Sequence, residues 1–129
     1  MSRSAILCVD DEIAVLSSLK EQLRRRFGDR YLYETAASAE EAWALIDELA
    51  EDGIGILMII SDWLMPGVKG DEFLAQVHDA HPTVMTVMLT GQVEPLAIER
   101  AQREANLLAC IHKPWNEGEL LDLVGASLG

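Results

Sequence analysis

Gly55-Ile56-Leu57-Met58-Ile59-Ile60-Ser61-Asp62 is an almost unbroken apolar run that ends on a carboxylate. A short run without polar alternation, bounded by turn residues, reads as a strand buried on both faces. Three more runs share its form. Ala5-Ile6-Leu7-Cys8-Val9 precedes Asp10-Asp11, Val84-Met85-Thr86-Val87-Met88-Leu89 precedes Thr90, and Leu107-Leu108-Ala109-Cys110-Ile111 leads to Lys113-Pro114. Strands of this kind belong to parallel sheets, whose strand ends line up along one edge. That edge would carry three carboxylates, one hydroxyl and one ammonium, a set suited to a divalent cation and a phosphoryl group.

The segments between the runs have helical spacing. After strand one, about Ser4–Val9, a helix from about Glu12 places Leu16, Leu19, Leu23 and Phe27 on one face, and Gly28 stops it. Strand two, about residues 30–35, is shorter and more polar and reads as an edge. Ser38 caps the second helix, with Glu41 completing a capping box, and Ala42, Leu45, Ile46 and Leu49 form its apolar face. Strand three covers about residues 56–61, and the loop 63–70 leads to a helix over about 71–80. Strand four spans about 83–89. A helix over about 94–104 carries Pro95 in its first turn, where proline is tolerated. Strand five spans about 107–111 and a last helix about 117–127.

Five alternating strand–helix units imply a doubly wound α/β fold: a five-stranded parallel sheet of order 2-1-3-4-5 with helices on both faces. Ligands in such sheets bind where the strand order switches, beyond the ends of strands one and three. Asp10, Asp11 and Asp62 stand at those two ends.

Bulk composition narrows the function. The 129 residues are enough for one domain with a real core. A formal net charge of −12 disfavours direct contact with nucleic acid or with anionic membranes. No apolar stretch approaches the roughly 18 residues of a membrane span, and Met1-Ser2-Arg3-Ser4 runs straight into strand one without a signal-peptide pattern. The expected location is the cytoplasm. Cys8 and Cys110 sit inside expected buried strands and lack partners at metal spacing, so they read as small core residues.

Each polar signal has a plain structural reading beside its chemical one. Asp11 and Glu12 favour a helix N-terminus by themselves. Lys113 could make only a salt bridge, and Thr90 could merely open a turn with Gly91. Arg24-Arg25-Arg26 suits a helix C-terminus, with partner docking as the alternative. The whole set at one switch point is harder to explain structurally, because like charges at close range cost stability unless a cation relieves them.

Together, Val9-Asp10-Asp11-Glu12, Ser61-Asp62-Trp63-Leu64-Met65-Pro66-Gly67, Leu89-Thr90-Gly91 and Lys113-Pro114-Trp115 resemble the motifs of receiver domains of two-component response regulators. The resemblance covers essentially the whole chain and implies the flavodoxin-like receiver fold over residues 1–129, with no output domain in this chain. It implies a phosphoacceptor signalling domain rather than a conventional enzyme. Asp62 would become an acyl phosphate. Mg2+ would be held by Asp11, Asp62 and the backbone carbonyl of Leu64, with Asp10 acting mainly through a water on the metal. Lys113 and Thr90 would grip the phosphoryl oxygens, and the Lys113-Pro114 bond would be cis. The implied partner is a sensor histidine kinase or a histidine phosphotransfer protein. A homodimer through the face of the fourth helix, fifth strand and fifth helix is also allowed.

One departure concerns signalling. Family members often carry an aromatic residue three positions before the lysine; here it is Cys110. The expected route of the signal is then Thr90 and the loop Gly91-Gln92-Val93, with Trp115 as another option. Competing functions fit less well. An aspartyl-phosphate phosphatase or phosphotransferase of haloacid-dehalogenase type wants Asp-x-Asp-x-Thr, but Asp62 is followed by Trp63-Leu64-Met65. A flavodoxin-like FMN site needs a phosphate-binding loop where Asp10-Asp11-Glu12 would repel phosphate. A degenerate receiver serving only as a docking module would not need the full set of acids, Thr90 and Lys113.

Overall fold

The computed structural model describes residues 4–63, 65, 67–91, 95–105 and 107–128. In chain order the elements are β1 (Ser4–Val9), α1 (Ile13–Phe27), a 3-10 turn (Gly28–Arg30), β2 (Leu32–Ala36), α2 (Ala39–Glu51), β3 (Gly55–Asp62), α3 (Gly70–Ala80), β4 (Met85–Thr90), α4 (Pro95–Glu104), β5 (Leu107–His112) and α5 (Glu117–Leu128). All strands pair in parallel, in the order β2-β1-β3-β4-β5. The expected strand order is the observed one.

Strand side chains alternate between two apolar layers, as the period of two requires. Leu7, Val9, Ile59 and Met88 face Ala42 and Ile46 of α2 and Phe73, Leu74 and Val77 of α3. Ile6, Cys8, Met58, Ile60, Val87 and Leu89 face Leu16, Leu19 and Leu23 of α1 and Leu120 and Val124 of α5. Local signals set the helix ends. Gly28 takes φ 61° after α1, and its N–H donates to the Arg24 carbonyl. The Ser38 hydroxyl accepts from the Glu41 N–H at 3.1 Å, and the Glu41 carboxylate accepts from the Ala37 N–H rather than from Ser38 itself.

Two expectations change. Strand five was expected to be fully buried, yet none of its residues is, and Leu108 is 41% exposed. The reason is position: β5 is an edge strand, so no neighbour covers its outer side. Cys110 is therefore half-buried. Secondly, β3 and β4 run one residue further than expected, so Asp62 and Thr90 are strand residues with backbones held in the sheet. The basic run lies in the last turn of α1, as its reading as a helix C-terminus expects. Arg25 pairs with Glu117 at 2.9 Å and Arg26 with Asp122 at 2.6 Å, tying α1 to α5. Arg24 to Arg26 also lie roughly 16–20 Å along α1 from its start at Ile13, at about 1.5 Å per residue.

Cys8 lies on β1 and Cys110 on β5, three strand spacings or roughly 14 Å apart and in opposite layers. A disulfide needs Cα atoms within about 7 Å. Burial pushes the Cys8 thiol up to about 12, and burial also raises that of Cys110. Iodoacetamide on the native chain at pH 8 should therefore modify one thiol, at Cys110, slowly, with both reacting in denaturant. Peptide mapping that found native modification at Cys8, or a Cys8–Cys110 link, would contradict this packing.

Candidate functional site

β1 and β3 are neighbours, and Val9 pairs in register with Ser61. One step further along both strands come Asp10 and Asp62, so the sheet sets these two carboxylates side by side. Asp11 follows Asp10 as the chain turns toward α1. Carboxylate oxygens of Asp10, Asp11 and Asp62 all lie within 4.8 Å of one another. Asp10 is fully buried, Asp62 nearly so, and Asp11 is exposed.

Lys113 approaches from the far side of the sheet. β4 and β5 pair through Thr90 and His112, and the Lys113 N–H donates to the Thr90 carbonyl at 2.8 Å. The Lys113-Pro114 peptide is cis. The Lys113 ammonium lies 2.7 Å from Asp10 Oδ2 and 3.0 Å from Asp62 Oδ1, with Glu12 at 4.0 Å. The other Asp10 oxygen accepts from the Glu12 N–H at 2.8 Å. Thr90 is the buried last residue of β4. Leu64, the expected carbonyl ligand, and Gln92-Val93 of the expected signalling loop lie outside the described residues.

The electrostatics follow from one cation among three acids. Burial raises the Asp62 pKa; the Lys113 hydrogen bond opposes that, and the Asp10 charge adds to it. For Lys113, burial pulls down, but hydrogen bonds to Asp10 and Asp62 outweigh it and its pKa is raised. Lys113 thus stays charged while Asp62 resists ionisation, chiefly because it is buried and secondarily because Asp10 and Asp11 stand beside it. Three carboxylates, with no thiolate or imidazole among them, make a hard oxygen donor set that suits Mg2+ rather than Zn2+. The exposed Asp11 leaves a solvent-facing side for a cation that keeps some of its waters.

Three residues around Asp62 escape a reading of the sequence alone. Gly70, read as the end of a loop, opens α3 packed against the Asp62-Trp63 backbone. Asp71 is buried, and it accepts the Trp63 indole N–H at 3.0 Å. Trp63 itself seemed part of a loop but is buried in the core layer of α2 and α3. Lys69-Gly70-Asp71 carries no local signal for any of this, because each contact depends on how α3 docks on β3.

The chain matches known proteins along nearly its whole length. The family model for the response regulator receiver domain covers residues 6–125. The hydrogenase transcriptional regulatory protein HoxA of Cupriavidus necator is 31% identical over 122 residues, which is 95% of this chain and 23% of that relative. The chain thus spans about a quarter of the length of the first curated relatives it matches. Among solved structures, the signal receiver domain of an HD domain-containing protein from Pseudomonas fluorescens Pf-5 superposes with a TM-score of 0.86 at 27% identity, over 98% of this chain and 94% of that one. A CheY-like response regulator receiver domain protein from Methanospirillum hungatei JF-1 gives 0.84 at 30% identity, over 98% and 94%. With this fold and these carboxylates at the switch point, the chain belongs to the response regulator receiver domain family.

Proposed function

We propose that Asp62 accepts one phosphoryl group from a phosphohistidine of a sensor histidine kinase or histidine phosphotransfer protein. Asp11, Asp62 and the Leu64 backbone carbonyl would hold Mg2+, with Asp10 beside them. The observation that carries this reading is the Lys113 ammonium bridging the buried Asp10 and Asp62 carboxylates within an acidic cluster.

An Asp62 oxygen attacks phosphorus in line with the donor imidazole. The new O–P bond forms as the N–P bond breaks, and its electron pair leaves on the imidazole nitrogen. Lys113 keeps Asp10 and turns its ammonium from Asp62 to a phosphoryl oxygen, while the Thr90 hydroxyl donates to another. Mg2+ held by Asp11 and Asp62 would offset the negative charge gathered on the transferring group. In the return step a water attacks phosphorus, the O–P bond to Asp62 breaks, and carboxylate and inorganic phosphate result.

The signal then passes through Thr90 and the start of α4, since Cys110 has no ring to swing. The formal net charge of −12 argues against direct contact of this chain with DNA. Among the described residues no helix is long and apolar enough to cross a membrane. A cytoplasmic domain fits a phosphohistidine donor. A homodimer through α4, β5 and α5 fits the exposed Leu96 and Leu108.

Acetyl phosphate with Mg2+ tests the reading, with intact mass as the readout. The expected result is one phosphoryl group on the wild-type chain, none on Asp62→Asn, and none on either when the metal is chelated. Full labelling of Asp62→Asn would overturn the assignment.

A further inference from the structure

Asp71 has a feature that its position in the helix does not explain. An acidic residue in the first turn is favoured by the helix dipole, and α3 has two, Asp71 and Glu72. That effect needs no burial, and Glu72 is exposed. Asp71 is 7% exposed. A carboxylate buried to this degree is costly unless it is hydrogen-bonded, and its partner is the Trp63 indole N–H at 3.0 Å.

Trp63 immediately follows the proposed phosphoacceptor and is held at three polar points. Its N–H donates to the Leu89 carbonyl of β4 at 2.8 Å. Its carbonyl accepts from the Gly70 N–H of α3 at 2.7 Å. Its indole N–H donates to Asp71. The Lys69 ammonium lies over the ring face, 5.4 Å from the centroid. The indole is therefore fixed at its edge and covered on a face. The backbone of Trp63 ties the end of β3 to β4 and to α3, and its indole adds a second tie to the first turn of α3.

We infer that Asp71 is a positioning residue for Asp62, acting through the Trp63 indole. Without Asp71 the indole N–H loses its acceptor inside a closed layer, the ring shifts, and the peptide joining Trp63 to Asp62 shifts with it. In-line attack tolerates little displacement: a misplacement of about 1 Å can cost about a hundredfold in rate. The inference rests on the assignment of Asp62 as phosphoacceptor.

The test compares Asp71→Leu, Asp71→Asn, Trp63→Phe and the double variant Trp63→Phe/Asp71→Leu in the whole chain. Phosphorylation rates with acetyl phosphate and Mg2+ are read by intact mass. Exchange of the Trp63 indole N–H is read by NMR without phosphodonor, its resonance assigned by loss in Trp63→Phe. Asp71→Leu and Trp63→Phe should each slow labelling by about tenfold, within the range expected of a misplaced nucleophile. Asp71→Asn keeps an oxygen acceptor, so it should label close to the wild-type rate with its indole still protected. In Asp71→Leu the indole proton should exchange faster than in the wild-type chain. The double variant should be no slower than the slower single one, because both changes remove the same contact.

Equal rates for wild type and Asp71→Leu, or losses that multiply in the double variant, would overturn the inference and leave the phosphoacceptor assignment standing. Failure of the wild-type chain to take label at Asp62 would bring down the assignment and the inference together.

Discussion

Replacing Lys113 with Met should destabilise the Mg2+-free chain by about 3 kcal/mol, the lower end of what breaking a buried ion pair costs. The low end applies because the Lys113 side chain is itself 17% exposed. The cost arises at the partners. The Asp10 side chain is fully buried and that of Asp62 is 7% exposed, so both carboxylates would face each other and Asp11 without a cation. The pH dependence has a definite sign. The Asp62 pKa is already raised above its ordinary value, so the folded chain binds its proton more tightly than the unfolded chain does. Stability linked to Asp62 is therefore full below the ordinary carboxylate range and is lost as pH rises through the raised value. Lys113→Met removes the contact that opposes this shift, so the loss should extend to higher pH. Urea melts across acid to neutral pH, with and without Mg2+, read all of this. Free Mg2+ at a hundred times its dissociation constant should restore about 2.7 kcal/mol. A variant as stable as wild type at neutral pH without metal, or one indifferent to millimolar Mg2+, would contradict this charge balance. Phosphorylation of the variant should fall by about a hundredfold, as when one preorganised donor to a developing anion is removed.

Gly70→Ala should be as damaging, for a steric reason. A Cβ at Gly70 would overlap the Asp62 carbonyl oxygen and lie 2.7 Å from Trp63 Cα and 2.9 Å from the Asp62 carbonyl carbon. All three are backbone atoms, and the segment is pinned by Trp63 hydrogen bonds to β4 and α3, so it cannot yield as a side chain would. Overpacking of this kind costs about 3 kcal/mol. At about 4 °C per kcal/mol for a chain of this size, the melting temperature should drop by roughly 12 °C. The substitution also pushes on Asp62, the proposed phosphoacceptor, so labelling by acetyl phosphate should fall even well below the melting point. Gly125→Ala is the matched control. Its Cβ would meet only the Phe27 ring, at 3.4 Å, inside α5. Losing glycine's freedom within a helix should stabilise there by about 0.5–1 kcal/mol. Calorimetry on the two variants should give shifts of opposite sign. A small shift in Gly70→Ala would mean that α3 can slide away from β3.

The two substitutions mark different degrees of legibility. Lys113, Asp10, Asp11, Asp62 and Thr90 could be picked out because each ends an apolar run, and a parallel sheet collects such ends at one edge. The strand order follows from the same reasoning, since alternating strands and helices permit few right-handed arrangements. Those are properties of local pattern plus general chain geometry, and the residues themselves carry them. Gly70 and Asp71 could not be found in this way, because their importance lies in a contact between α3 and the end of β3. Nothing within a few residues of either signals that contact.

The same distinction explains what the linear pattern got wrong. Leu107 to Ile111 is as apolar as the central strands, yet β5 is only half covered, because burial depends on whether a neighbour lies on the far side. Arg24, Arg25 and Arg26 close α1 as the pattern suggests, but the pattern gives no sign that α5 brings Glu117 and Asp122 against two of them. Periodicity, chain reversals and run ends therefore sufficed for the fold and for singling out Asp10, Asp11, Asp62 and Lys113, which the structure brings together. Only tertiary packing decided that Asp10 and Asp62 share one lysine, that Asp62 is locked through Trp63 to α3, and which apolar residues reach solvent. Those outcomes depend on register and docking between elements distant in sequence, whose energies no local window contains.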